Sequence, residues 1–117
     1  MNSFYKTVET YKRGAMTLPR KYYIDSTILM MEIEKLFSKS WLCCGRQDDI
    51  PQQGEYKIID IGNESIIILR NIDGKIYAYY NICRHRGTRI CTKEFGKFSK
   101  TIQCPYHGWT YDLQGNL

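Results

Sequence analysis

Histidine is the scarcest chemically versatile residue in this chain of 117 residues: there are two, and any further site that requires histidine is excluded. No run of residues approaches the roughly 20 apolar positions of a membrane-spanning helix. The opening Met1-Asn2-Ser3-Phe4-Tyr5-Lys6 also lacks an apolar stretch of signal-peptide length. No membrane partner is therefore expected, and cytoplasmic location is the default expectation. Internal repeats and low-complexity tracts are absent. The formal net charge is +5, yet no recognised nucleic-acid motif accompanies it, so no nucleic-acid partner is expected. Five cysteines without an export signal argue for a metal site and reduced thiols rather than a disulfide framework. The C-x4-C-x2-C spacing of a plant-type iron–sulfur cluster is missing.

Both histidines stand beside a cysteine, in Cys83-Arg84-His85 and in Cys104-Pro105-Tyr106-His107. Together they offer two thiolates and two imidazoles from two loops, the ligand set of a Rieske [2Fe–2S] cluster. Two bridged ferric ions need four ligands besides their sulfides, and soft thiolates suit iron–sulfur chemistry. Neutral imidazoles in place of two thiolates leave the oxidised cluster without net charge, so an added electron costs less and the potential rises. A residue and its second neighbour can face different irons, whereas structural zinc sites usually separate paired ligands by two to four residues. Zinc held by these four residues in an interaction module is the alternative. Gly87 and Gly108 follow the two histidines closely and are expected to let the backbone turn its N–H groups toward the cluster.

Cys83-Arg84-His85-Arg86-Gly87-Thr88 and Cys104-Pro105-Tyr106-His107-Gly108-Trp109-Thr110-Tyr111-Asp112-Leu113 resemble the α-subunit of Rieske non-haem iron ring-hydroxylating oxygenases. The likeness extends to Leu18-Pro19-Arg20-Lys21-Tyr22-Tyr23, an ensuing helix, and Trp41 before Gly45-Arg46, and so covers roughly residues 18 to 117. It implies that Cys83 and Cys104 bind an inner iron and His85 and His107 an outer one near the surface. It implies a ferredoxin or reductase as electron donor, NAD(P)H as ultimate reductant, and a mononuclear-iron catalytic domain as acceptor in a full-length, commonly homotrimeric protein. That iron takes two histidines and a carboxylate, and no histidine remains here to build it. Respiratory Rieske proteins carry a disulfide between the two loops and a serine after His-Gly; this chain has Thr88, Tyr106 and Trp109 at those places. Losing the serine donor is expected to lower the potential, since hydrogen bonds to the sulfurs favour the reduced cluster.

The expected fold is mainly β: a Rieske iron–sulfur fold of small antiparallel sheets with cluster-binding loops, preceded by one α-helix. Residues 1–17 read as a mobile basic arm, 18–41 as a leader with the helix, and 42–117 as the Rieske domain, incomplete at its C-terminus. Ser26 or Asp25 caps a helix whose apolar Leu29, Ile33, Leu36 and Phe37 recur at helical spacing, with Met30 and Met31 as packing residues. Strands are expected at Tyr56 to Ile61 and Ile66 to Leu69, joined by Gly62-Asn63. Asp73-Gly74 signals a type I′ hairpin into Lys75 to Tyr80. Thr101 to Gln103 forms a short strand between the cluster loops. Trp109 to Asp112 followed by Gly115-Asn116 asks for a returning strand, so a fragment of a longer oxygenase is expected, with an autonomous Rieske ferredoxin as the alternative.

Around the ligands, Arg86 is a candidate to order the loop beside His85, and Tyr106, Trp109 and Tyr111 are candidates to shield the cluster from water. Arg84, Arg86, Arg89, Lys93, Lys97 and Lys100 gather near the first loop. They form either a solvated face or a surface that steers an acidic electron donor. Cys43 and Cys44 are expected to pack as small apolar side chains, and Cys91 to be a loop thiol.

Overall fold

In the computed structural model, which describes Gly14 and residues 16–117, six strands form two antiparallel sheets. Most of the proposed arm, residues 1–13 and 15, lies outside the described residues. Strands β1 (Glu55–Ile61), β2 (Glu64–Arg70), β3 (Ile76–Tyr80) and β4 (Phe95–Lys97) make a sheet of order β3-β2-β1-β4. Strands β5 (Thr101–Gln103) and β6 (Thr110–Asp112) make the second. The short β4 carries no alternating pattern, and only its pairing with Glu55–Lys57 of β1 defines it.

The register explains which residues are inside. Tyr56 lies opposite Leu69 and Leu69 opposite Tyr77; Ile58 lies opposite Ile67 and Ile67 opposite Tyr79. These two rows share one face because side chains alternate along a strand. They pack with Ile102 and Tyr111 of the small sheet and with Leu113, enclosing Cys83, Cys91 and Cys104. The outcome is a core shared by both sheets, with two of its cysteines at the roots of the motif loops. On the other face Lys57 is buried and its ammonium meets the Asp49 carboxylate at 2.6 Å. Cys91 is therefore a loop residue, as expected, whose thiol is buried in the core. Burial raises its thiol pKa above the ordinary value, partly offset by the Tyr56 hydroxyl.

The Asp73-Gly74 hairpin forms, but with a different turn. Gly74 N–H donates to Asn71 O at 3.0 Å and Asn71 N–H to Lys75 O at 2.8 Å, with φ of +80° at Gly74 alone. A type I′ turn needs positive φ at both central residues. Asp73 avoids that cost, and the chain uses a three-residue loop with the glycine last.

The leader is helical over α1 (Lys21–Ile24) and the main helix α2 (Ser26–Glu32), which runs into a wider turn over Ile33–Phe37. Asp25 caps α2, its carboxylate accepting from Thr27 N–H at 2.8 Å. The expected packing of the apolar stripe is not found: none of these residues is buried, and Met30 is 70% exposed. Among them Ile33 reaches the sheet, against Gly62 in the β1–β2 turn. Helical periodicity marks a face that can be covered without saying that this chain covers it. Cys43 is likewise exposed, and Cys44 is half-buried with its thiol directed at Leu42 O.

Candidate metal centre

The two motif loops adopt the same turn. In the first, Cys83 N–H donates to Thr88 O at 2.8 Å and Gly87 N–H to Cys83 O at 2.9 Å. In the second, Cys104 N–H donates to Trp109 O at 2.8 Å and Gly108 N–H to Cys104 O at 3.1 Å. Gly87 and Gly108 have φ of +74° and +75°, the left-handed region that a side chain resists. Both N–H groups are spent on the loop's own cysteine carbonyl, so these glycines close the turn and do not donate into the site.

Each loop has four residues between the bonded ends, with the cysteine just before them and the glycine last. The histidine is second in the first loop and third in the second. This offset brings the imidazoles together edge-on, with ring centroids 4.8 Å apart and an interplanar angle of 68°. Two imidazoles sharing one metal ion would have centroids roughly 4.5–5 Å apart, given metal–nitrogen bonds near 2.1 Å. Both histidines are exposed, whereas Cys83 and Cys104 are 2% and 3% exposed. Cys83 and Cys104 lie in the same buried cluster, and the Cys104 thiol helps to lower the pKa of Cys83. Buried sulfurs and exposed nitrogens thus form two separate pairs, a donor set that fits a two-iron cluster with an inner and an outer end. A single tetrahedral ion would need all four donors around one point. Among the described residues, no three histidine, cysteine or carboxylate side chains crowd in that way.

Tyr111 is the residue that sequence reasoning undervalued. Strand β6 alternates, so Thr110 and Asp112 are exposed while Tyr111 points inward from the second loop toward the first. Its hydroxyl lies 3.3 Å from Cys83 Sγ and accepts from Arg84 N–H at 3.3 Å. With the N–H of Arg84 donating to the oxygen, the phenol proton is free for the sulfur. This hydroxyl holds the Cys83 thiol below its ordinary pKa against the opposing effect of burial, with the N–H groups of His85 and Arg86 adding to it. Reciprocally, the same contact and then burial raise the Tyr111 phenol. The available signal was its position two residues beyond Trp109 on an alternating strand.

The aromatic candidates divide. Trp109, from the second loop, lies flat on the first loop's His85, with centroids 4.5 Å apart and planes 8° apart. Tyr106 leans on its neighbour His107 at 3.8 Å and is 60% exposed, so it flanks an imidazole without sealing the site. Arg86 contributes its backbone N–H near Cys83 while its side chain faces solvent. Of the basic residues near the first loop, Arg89 meets Asp60 at 3.3 Å, and Lys97 donates to Gln52.

A small double-sheet β fold whose two matching loops present two thiols and two imidazoles is that of an iron–sulfur electron-transfer domain. The Rieske [2Fe-2S] domain family matches residues 40–117, and the chain belongs to it. Its cofactor is accordingly the Rieske cluster. Over 106 residues the chain is 42% identical to the glycine betaine monooxygenase oxygenase subunit of Chromohalobacter salexigens. It is 40% identical to the chlorobenzene dioxygenase subunit alpha of Cupriavidus sp. (strain PS12), again over 106 residues. Each alignment takes in 91% of this chain. The apo form of a quaternary ammonium Rieske monooxygenase superposes with a TM-score of 0.79 at 37% identity, covering 86% of this chain. The chain spans about a quarter of the length of these relatives: 24%, 23% and 29%. What it shares with them is the Rieske domain of the oxygenase subunit. Among the described residues, no helix is long and apolar enough to cross a membrane.

Proposed function

We propose that Cys83 and Cys104 hold the inner iron of the cluster and His85 and His107 the outer iron. The domain then passes single electrons from a ferredoxin or reductase to the mononuclear iron of a Rieske oxygenase. The observation that carries this reading is the sorting of donors, two buried thiols and two exposed imidazoles 4.8 Å apart, produced by two loops of the same shape. When bound, the cluster supplies a one-electron couple. The residues around it do the rest. Tyr111 and the N–H groups of His85 and Arg86 support negative charge on the Cys83 sulfur. Trp109 fixes the plane of His85, and exposure of both imidazoles leaves their outer edges open to a partner.

The proposal places the chain in the cytoplasm, with residues 18–41 as the leader and 42–117 as the cluster domain. In the whole protein it adds a mononuclear-iron catalytic domain in a homotrimer. The oxidation of an organic substrate belongs to that whole protein. With Trp109 occupied by His85 in place of a hydroxyl donor, the midpoint is expected in the lower half of the Rieske range, which runs from about −150 to +300 mV. A redox titration giving more than about +150 mV would refute that value.

The experiment for the main reading is EPR of the reconstituted, dithionite-reduced chain, paired with iron and acid-labile sulfide analysis. A Rieske-type signal with equal iron and sulfide is the expected result. Bound zinc without a signal, or neither metal nor sulfide after reconstitution, would overturn it.

A further inference from the structure

The two motif loops share a turn but not a support. The second loop is carried by its own flanking strands, since Gln103 pairs with Thr110 directly beneath it. The first loop has no such base. Its flanking strands are β3 and β4, which lie on opposite edges of the four-stranded sheet. Three strand spacings separate them, roughly 14 Å. Pairing between them is impossible, and the chain from Asn81 to Glu94 must cross from one edge to the other.

A single side chain takes the place of the missing ladder. Asn81 N–H extends the β2–β3 pairing by donating to Ser65 O at 2.8 Å, and the residue is 3% exposed. The Asn81 Oδ1 accepts from Ile90 N–H at 3.1 Å and Cys91 N–H at 2.8 Å. Its Nδ2 donates to Cys91 O at 2.8 Å and to Ser65 Oγ at 3.2 Å. Both donors and both acceptor sites of the carboxamide are used. Three of the four bonds fall on Ile90 and Cys91, the return arm of the loop, and the fourth ties the group to β2. Thr88, on the same arm, accepts from Cys83 N–H and so closes the loop.

We infer that Asn81 is the positioning residue of the first loop: its carboxamide, acting as a substitute strand for Ile90 and Cys91, sets where Cys83 and His85 stand relative to Cys104 and His107. This rests on the ligand assignment proposed above. Asn81 touches neither donor atom, so it acts through the backbone. An alanine there leaves the Ile90 and Cys91 N–H groups without partners, both in the first loop, while Cys91 O keeps its bond from Arg89 Nε at 3.2 Å.

The test uses the 117-residue chain, read by hydrogen exchange with mass spectrometry and by EPR of the reduced protein. In Asn81→Ala, exchange over residues 83–91 is expected to quicken by about tenfold while residues 101–112 keep their protection. The g-values of the reduced signal are expected to move. Ser65→Ala, which removes the one bond outside the loop, should stay within about twofold of the parent. Asn81→Asp keeps the oxygen that Ile90 and Cys91 donate to but loses the donor to Cys91 O, so their protection should fall between those of the parent and the alanine variant, and be read even where the alanine variant does not fold. Equal loosening of both loops, or unchanged g-values in the alanine variant, would reduce Asn81 to general stability and overturn the inference. Complete loss of protection at 90–91 in the aspartate variant would overturn it as well. Failure of the unsubstituted chain to take up iron and sulfide refutes the ligand assignment instead, and the clamp is then judged on hydrogen exchange alone.

Discussion

Cys83–Thr88 and Cys104–Trp109 close with the same two hydrogen bonds and end on glycines at the same φ, yet they differ in the place of the imidazole and in what lies beneath them. His85 is the second residue of its turn and His107 the third. Adjacent positions on one tight turn project in different directions. The offset therefore lets the rings meet edge-on at 68°, and leaves a face of His85 for Trp109. The second loop stands on a strand pair, whereas the first hangs between opposite sheet edges on the Asn81 carboxamide. One turn has served twice, with side-chain placement and support supplying the differences a two-ended cofactor requires.

The largest expected effect treats the loops as equals. Cys104→Ala or His107→Ala should abolish the Rieske signal and lower iron and sulfide, as should Cys83→Ala or His85→Ala. A normal spectrum in any one variant would remove that residue from the ligand set. Next, the exchange His85→Arg with Arg86→His moves the first imidazole to the third position, giving both loops one pattern. If the offset matters, the signal is lost; a retained signal would show the two positions to be interchangeable.

Gly87→Ala and Gly108→Ala probe what is common to the loops. An added methyl finds nothing nearer than 3.9 Å at Gly87 or 3.8 Å at Gly108, so the cost is backbone strain alone. About 1–2 kcal/mol of destabilisation is expected for each, measured by urea unfolding. Clearly unequal losses would mean that the turns are not equivalent. Tyr111→Phe probes an asymmetry, since this hydroxyl serves Cys83. Losing a hydrogen bond worth about 1 kcal/mol should lower the midpoint by roughly 40 mV in a one-electron couple. An unchanged midpoint would show the hydroxyl to be idle.

The smallest effect lies away from both loops. The Lys57 ammonium, followed by the Arg46 N–H, holds Asp49 below the usual carboxylate range. A depressed carboxylate stabilises the fold fully above its unfolded value of about 4. That contribution is lost as pH falls through the lower folded value. Asp49→Asn should therefore lose less stability than the parent between about pH 6 and about pH 3, read as the urea midpoint. Equal losses would refute the pairing.

Much of the site was legible in the chain because the donors are short-range motifs: Cys-x-His and Cys-x-x-His, each followed by a glycine, need only a local turn. The strands β1, β2 and β3 were legible from β-branched alternation and turn residues. Strand β4 was not, since Phe95-Gly96-Lys97 acquires its state from the β1 edge. The helical stripe was legible as a pattern but not as a contact, because periodicity records amphipathicity and not what covers it. Cys91 escaped because burial is a property of neighbours, here Tyr56 and the strands around it.

The sequence by itself determined the donor inventory, two thiols and two imidazoles with no third histidine, because chemical identity needs no fold. Only the tertiary structure decided that the thiols are inside and the imidazoles outside, and that Tyr111 from one loop serves the cysteine of the other. It also decided that Asn81 replaces a missing strand. Each of these depends on pairs far apart in the chain, Cys83 with Tyr111 and Ser65 with Asn81 among them, whose meeting is set by sheet order and register.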